Sequence, residues 1–108
     1  MEVSFEEFQN LDIRVGKITA VEEIEGSKNL YKLGVDFGTE KRTAVAGIKK
    51  YYSPQELLNK KFVFILNLER KKLMGVESEC MIFAADDNEG NIVLLQPGKD
   101  IMEGSRIG

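Results

Sequence analysis

The stretch from Asp12 to Val21 is the part of the sequence that most constrains the fold. Its residue types predict one long β-strand, but its apolar residues change parity between Val15 and Ile18. Because side chains alternate strictly along a regular strand, this change predicts a bulge or bend near Gly16. A long, bent first strand is what a small barrel needs if one strand is to serve two sheets.

The rest of the chain continues in short β patterns separated by turns. From Tyr31 to Phe37 apolar and polar residues alternate, which indicates a strand with one buried and one polar face. Gly38-Thr39-Glu40 then predicts a turn into a partner strand. Later apolar runs predict strands that are buried on both faces. The strands predicted after the first are 31–37, 41–46, 62–66, 81–85 and 92–95.

Capping signals mark two short helices. Ser4 with Glu7 predicts a helix start before the first strand. Ser53 with Glu56, and Pro54 at the first helical position, predicts a second helix between the third and fourth strands. A helix at that place is typical of the OB topology. The chain of 108 residues is therefore expected to be a single all-β domain with short helices, an OB-fold five-stranded barrel with additional C-terminal strands. A β-sandwich is the alternative, because periodicity does not show whether a sheet closes.

The composition argues against an enzyme. There is no histidine, which removes the commonest general base near neutral pH, and one cysteine without histidine excludes the usual zinc sites. The glycines form no phosphate-binding loop or nucleophile elbow. We therefore expect no catalysis, cofactor or metal. The start lacks a signal peptide, and no apolar run approaches the ~20 residues of a membrane span, so a cytoplasmic protein without membrane contact is expected.

The charge is unevenly distributed along the chain. The net charge is −3, yet residues 41–72 carry nine bases against two acids, or +7. Residues 1–25 and 73–108 each carry −5, and residues 26–40 balance at zero. Because a polyanion responds to the local field, the central segment favours nucleic acid despite the acidic total. Solvated lysines at strand ends are the alternative.

Three ordered motifs resemble those of a known family. The first is Asp12–Ile18, and the second is Thr43–Ile48 followed by Tyr51-Tyr52. The third is Asn67-Leu68 followed by Lys72–Glu79 and Met81. Together they are similar to the tRNA-binding domain found at the C-terminus, or as a separate β subunit, of methionyl-tRNA synthetases and in small stand-alone tRNA-binding proteins. The resemblance runs from about residue 7 to residue 108.

The resemblance implies an OB barrel that forms a homodimer and binds tRNA by shape. It implies a non-catalytic accessory module, whose partner is the catalytic chain or domain of a methionyl-tRNA synthetase. A second hypothesis is a dimeric chaperone- or export-related protein that binds unfolded peptide on the same fold. A purely structural dimerisation domain is the third.

The candidate tRNA contacts are concentrated in the third motif. Arg70-Lys71-Lys72 before a Leu-Met-Gly turn predicts a phosphate clamp beside the polarisable Met74, the alternative being a solvated strand end with Met74 in the core. Asn67 suits a ribose hydroxyl or a base edge, or it caps the loop backbone. Ser78 is a candidate RNA contact. Glu79 belongs to the same loop and is expected to orient a lysine or a backbone amide.

Two further groups complete the predicted surfaces. Lys32 and Arg42 are expected on facing outer positions of adjacent strands, as part of a groove floor, because OB barrels bind oligonucleotides across their second and third strands. Ordinary solubilising charge is the alternative. The dimer contact is expected in the C-terminal stretch, through the apolar residues Ile101, Met102 and Ile107.

Overall fold

The computed structural model describes all 108 residues of the chain. Strands dominate, and neither helix exceeds five residues. No helix is long and apolar enough to cross a membrane. In chain order the elements are α1 (Phe5–Gln9), β1 (Ile13–Glu23), β2 (Tyr31–Asp36), β3 (Lys41–Ala46), α2 (Pro54–Leu57), β4 (Lys61–Ile65), β5 (Lys71–Leu73), β6 (Val76–Ser78), β7 (Met81–Ile82), β8 (Ala84–Asp86) and β9 (Ile92–Leu94).

Both helices begin at the serine–glutamate pairs predicted from the sequence. Before α1 the Ser4 hydroxyl accepts a hydrogen bond from the Glu7 amide at 3.1 Å, and the Glu7 carboxylate accepts one from the Ser4 amide at 3.3 Å. Before α2 the Glu56 carboxylate accepts from the Ser53 amide at 2.9 Å. That backbone hydrogen bond lowers the pKa of Glu56. Such caps satisfy amides that the first helical turn leaves without partners.

Five strands form one antiparallel sheet in the order β3-β2-β1-β4-β7, which curls into a nearly closed barrel. The remaining gap is bridged at β3, where the Glu79 amide donates to the Thr43 carbonyl at 2.8 Å. β5 pairs with β6 and β8 with β9 as separate two-stranded ribbons. Residues 81–85, predicted as one strand, are two because the chain changes its partner from β4 to β9 at Phe83. The OB-type five-stranded barrel with additional strands is confirmed.

The barrel interior is filled by large apolar side chains that leave no room beside Gly16. The rings of Phe37 and Phe64 meet edge to face, with centroids 5.4 Å apart. A Cβ on Gly16 would lie 2.6 Å from Val35 Cγ1 and 2.7 Å from Phe37 Cε1. Interiors are packed too densely to absorb such an overlap without a shift of neighbouring atoms. Glycine is therefore required at this position for packing.

The bulge or bend predicted near Gly16 occurs further along β1, between Ile18 and Ala20. β1 pairs regularly with β4 from Ile13 to Lys17, and its register with β2 shifts only between Ile18 and Ala20. The apparent change of parity arises because both faces of β1 are buried. Ile18 faces the barrel core, whereas Ile13 packs outside the barrel in a second apolar cluster. This second cluster consists of Ile13, Val63 and Ile65, with Phe8, Phe83 and Ile107 packed against it.

Candidate nucleic-acid interface

The segment after β4 forms a hairpin that stands apart from the barrel sheet. We call β5, β6 and their connection the basic hairpin, residues 71–78. Its turn consists of Met74 and Gly75, with φ of 52° and 80°, both positive as in a type I′ turn. A left-handed conformation is unfavourable for methionine, and the Met74 side chain is 56% exposed. The alternative that Met74 lies in the core is therefore excluded, and the hairpin presents it to solvent.

Two of the three bases of the predicted phosphate clamp carry unpaired charge. Arg70 Nη1 lies 3.1 Å from a carboxylate oxygen of Glu79 and 4.0 Å from one of Glu77. Lys71 and Lys72 are exposed, and neither has a carboxylate within 4.0 Å. Because acids neutralise Arg70 locally, the charge that the hairpin offers to a polyanion comes mainly from Lys71 and Lys72.

Ser78 and Glu79 close the barrel. The Glu79 carboxylate accepts a hydrogen bond from the Thr43 amide at 2.9 Å. The Ser78 hydroxyl accepts from the Val45 amide at 3.0 Å and donates to the Cys80 carbonyl at 3.0 Å. These amides lie on the outer edge of β3, which has no neighbouring strand there to satisfy them. The expectation that Glu79 orients a backbone amide is confirmed, while RNA contact by either residue stays a prediction.

Lys32 and Arg42 do not face each other, and this prediction is wrong. In the β2–β3 register Lys32 lies opposite Val45, whereas Arg42 lies opposite Val35. Directly opposed residues of antiparallel strands project from the same face of the sheet. Since Val35 is buried in the barrel core, Arg42 is on the inner face. Lys32 is on the outer face, beside Glu22 at 3.8 Å.

The Arg42 guanidinium is bonded to the protein at the open end of the barrel. Its Nη1 donates to the Leu66 carbonyl at 2.8 Å and to the Glu79 carbonyl at 3.1 Å, and its Nε donates to Glu40 at 2.9 Å. These hydrogen bonds connect Leu66, which follows β4, to Glu79, which follows β6. Arg42 thus helps to close the gap in the barrel at β3, which we call the barrel seam. RNA contact by Arg42 stays a prediction.

Asn67 uses both ends of its amide within the protein. Its Oδ1 accepts from the Asp12 amide at 2.8 Å, and its Nδ2 donates to the Asn10 carbonyl at 2.6 Å. Of the two roles predicted for Asn67, the structure shows the cap of loop backbone. Contact between Asn67 and RNA stays a prediction.

A groove of about 200 Å³ separates the basic hairpin from the outer face of β3. Lys71 and Leu73 of the hairpin stand on one side and Val45 on the other. This β3 groove lies beside the outer face of the third strand and next to the loop after the fourth, a region where other OB folds bind oligonucleotides. It is lined by Val45, Leu68, Glu69, Lys71, Leu73, Ser78, Glu79, Cys80 and Met81.

A second depression of about 340 Å³ continues the β3 groove. The two share Val45 and Met81, and the second runs on to Tyr51. We call this second part the Tyr51 groove. Its lining is uncharged and consists of Val45, Ala46, Gly47, Ile48, Tyr51, Met81, Ile82, Ala84 and Ile92. None of the candidate tRNA contacts named above lies in this lining, although the second motif includes Tyr51.

Cys80 lies beneath the β3 groove with 6% of its surface exposed and packs in the barrel core as a small apolar residue. Burial raises the pKa of its thiol to about 12. The thiolate is the nucleophilic form, so the side chain is unreactive near neutral pH. No group of acidic, cysteine or histidine side chains is arranged to hold a metal ion.

The residues predicted at the dimer contact lie in two places. Ile101 and Met102 are 47% and 76% exposed. Met102 lines a groove with Gly38 and Glu103. Ile107 instead packs on the second cluster and lines a different groove of about 440 Å³ beside α1. The structure therefore leaves Ile101 and Met102 available for contact and holds Ile107 partly within the chain's own packing.

Comparisons with known proteins agree with this geometry. A family model described as "Putative tRNA binding domain" matches residues 13–106. The methionine–tRNA ligase of Pyrococcus horikoshii is 52% identical over 97% of this chain, and that of Methanocaldococcus jannaschii is 52% identical over 92%. The chain spans only 14% and 15% of the lengths of these ligases.

Solved structures with the same fold include three proteins of different description. A MetRS-related protein from Pyrococcus horikoshii has a TM-score of 0.93 at 39% identity, covering all of both chains. The chaperone CsaA from Bacillus anthracis has a TM-score of 0.89 at 31% identity, also over both whole chains. The C-terminal domain of Plasmodium vivax p43 has a TM-score of 0.79 at 28% identity, covering 89% of this chain and 58% of that one. The resemblance predicted from the motifs is confirmed: this chain belongs to the tRNA-binding domain family and is homologous to a segment of the methionine–tRNA ligases.

Proposed function

We propose that the chain is a non-catalytic tRNA-binding module that serves a methionyl-tRNA synthetase, as its C-terminal appendage or β subunit. The observation that carries the proposal is the unpaired charge of Lys71 and Lys72 on the basic hairpin, of which Lys71 lines the β3 groove. Family membership supports tRNA as the ligand. Aminoacylation would belong to a separate catalytic chain or domain, and we expect the chain alone to show neither aminoacylation nor ATP hydrolysis. Turnover that copurifies with the chain through several columns would contradict this.

The module would bind tRNA through its backbone and shape. Lysines contact phosphates regardless of sequence, and an A-form helix hides its base edges in a deep, narrow groove. Weak binding of this kind is useful because attachment to the synthetase converts it into a high effective concentration of tRNA near the catalytic site. We therefore expect affinities that differ little between tRNAs and fall steeply with salt.

Salt titrations of Lys72→Ala test this mechanism. Each neutralised phosphate adds roughly 0.7–0.9 to the slope of log affinity against log salt concentration. Lys72→Ala should lower the affinity for several tRNAs about equally and reduce that slope by less than about one unit. Lys99→Ala is the matched control, since it removes an exposed lysine that lines a groove away from the basic hairpin. Wild-type binding that is isoacceptor-specific and independent of salt would refute the mechanism.

We also propose that two copies associate through the exposed apolar surface near the chain ends. Ile101 is 47% exposed and Met102 is 76% exposed, so this apolar part of the predicted dimer contact is not used by the packing of the chain itself. A dimer would present two basic hairpins to one large RNA. Light scattering at micromolar concentration should give twice the monomer mass, and Met102→Glu should lower it. A wild-type monomer at that concentration would rule out the dimer.

Peptide binding is the second candidate. Two solved chaperones named CsaA share the fold at about 30% identity, and the Tyr51 groove is apolar. Competition between tRNA and an unfolded peptide separates the two functions. We expect tRNA to bind and an unfolded peptide to leave it bound.

A further inference from the structure

We infer that the Tyr51 groove holds one unpaired nucleobase of the bound RNA, stacked on the ring of Tyr51. The inference rests on the proposed function and adds the class of RNA element that the surface takes. The basic hairpin would hold phosphates of the same segment, because the β3 groove and the Tyr51 groove share Val45 and Met81 and form one channel.

Of the three tyrosines, Tyr51 alone has a side chain that is neither buried nor hydrogen-bonded within the protein. Tyr31 is buried, and its hydroxyl donates to the Tyr52 carbonyl at 2.8 Å. The Tyr52 hydroxyl accepts from the Leu94 amide at 3.0 Å. Tyr51, in contrast, is 46% exposed, lies outside both apolar clusters, and its hydroxyl has no hydrogen bond within the protein.

The backbone holds Tyr51 in a defined place. Its amide donates to the Ile48 carbonyl at 2.9 Å, and Ile48 is buried in the barrel core with 4% of its surface exposed. The ring is therefore presented at the edge of the groove by a turn that is anchored to the core. A preorganised aromatic surface loses little conformational entropy when a flat ligand stacks on it.

The lining and the neighbouring charges together indicate a base and its phosphates. The Tyr51 groove carries no charged side chain, and its volume of about 340 Å³ lies in the range of small-ligand sites, roughly 300–1,000 Å³. Lys50, next to Tyr51 in the chain, is exposed and has no ion pair, and Lys71 stands at the other end of the channel. An apolar, aromatic floor between cations is complementary to a single-stranded nucleotide segment. A base inside an A-form helix is already stacked on its neighbours, so the ligand is an unpaired base.

Titration with a short single-stranded oligoribonucleotide tests the inference directly. Tyr51→Ala should weaken binding of that oligonucleotide and of tRNA by roughly 5- to 100-fold, the range that stacking of one base accounts for. Tyr51→Phe should bind like wild type, because the ring and not the hydroxyl stacks. The slope of log affinity against log salt should be unchanged in Tyr51→Ala, whereas Lys72→Ala lowers it. A fully paired duplex of the same sequence should show no dependence on Tyr51.

Two sources of an unpaired base are separated by a tRNA from which the single-stranded 3′ end has been removed. If its affinity no longer depends on Tyr51, the base comes from that end; if the dependence persists, the base comes from a loop. Equal binding of tRNA by Tyr51→Ala and wild type, with Lys72→Ala weaker, would overturn the inference and leave the proposed function intact. Wild type that binds neither RNA would overturn both. Displacement of the oligonucleotide by an unfolded peptide would assign the Tyr51 groove to peptide and also overturn the inference.

Discussion

Removal of the Glu79 side chain should destabilise the barrel. Its carboxylate accepts a hydrogen bond from the Thr43 amide at 2.9 Å, and hydrogen bonds to charged groups contribute about 1.5–3 kcal/mol. Its ion pair with Arg70 at 3.1 Å adds little, because the Arg70 side chain is 49% exposed and exposed pairs contribute about 0–1 kcal/mol. We therefore expect Glu79→Ala to lower the free energy of unfolding by about 2–3 kcal/mol.

Urea unfolding measures this loss as a shift of the midpoint at constant slope. Glu79→Gln keeps an oxygen that can accept from Thr43, so its loss should be about 1 kcal/mol or less. Glu69→Ala is the control, because Glu69 is an exposed carboxylate of the same groove that forms no hydrogen bond or ion pair. Such exposed positions usually change stability by no more than about 0.5 kcal/mol.

The same variants decide between a seam role and an RNA contact for Glu79. If the carboxylate only closes the seam and neutralises Arg70, folded Glu79→Gln should bind tRNA as tightly as wild type or a few-fold more tightly, since Arg70 is released. The reasoning is refuted if Glu79→Ala keeps wild-type stability while its tRNA affinity falls. That result would make Glu79 an RNA contact without a structural role.

Four more predictions follow from local geometry. Gly16→Ala forces a Cβ to 2.6 Å from Val35 Cγ1 and should lower stability by about 1–3 kcal/mol; an unchanged melting temperature would contradict this. Met74→Asn replaces a methionine at φ 52° with a residue that tolerates this left-handed conformation, so hydrogen exchange of the hairpin amides should slow. The tRNA affinity should fall, because Met74 is a candidate RNA contact. Faster exchange would show that the turn is unstrained. Iodoacetamide at pH 8 should label Cys80 slowly in the native protein and quickly in urea, because its pKa of about 12 keeps the native thiol protonated; equal rates would contradict the burial. Since only the unfolded thiol ionises near its ordinary pKa of 9.0, the stability due to Cys80 should fall as the pH rises from about 9 toward 12.

Local patterns in the sequence were sufficient for much of the fold. The strand predicted at 41–46 has those bounds in the structure, because the turn residues that delimit it are adjacent to it in the sequence. The Ser4–Glu7 and Ser53–Glu56 pairs mark both helix starts, since a cap depends on residues three positions apart. The place of α2 between β3 and β4, together with the motifs, predicted the OB barrel and its family.

The short strands of the basic hairpin were not predicted. β5 and β6 contain three residues each, which is too few for a periodicity to show. The run Arg70-Lys71-Lys72 predicted positive charge at this place. The position of an acid at 3.1 Å from Arg70, which leaves the two lysines as the unpaired bases, depends on the fold of residues nine positions apart.

The sequence by itself determined the longer strands, the helix starts, the family and the basic segment, because each depends on residues close together in the chain. Only the tertiary structure decided which face each side chain occupies. A shift of one residue in strand pairing exchanges the two faces of a strand, and pairing is set by contacts between distant segments. The pairing of Val35 with Arg42 thus turned Arg42 inward to the seam, and the second cluster buried the outer face of β1 at Ile13.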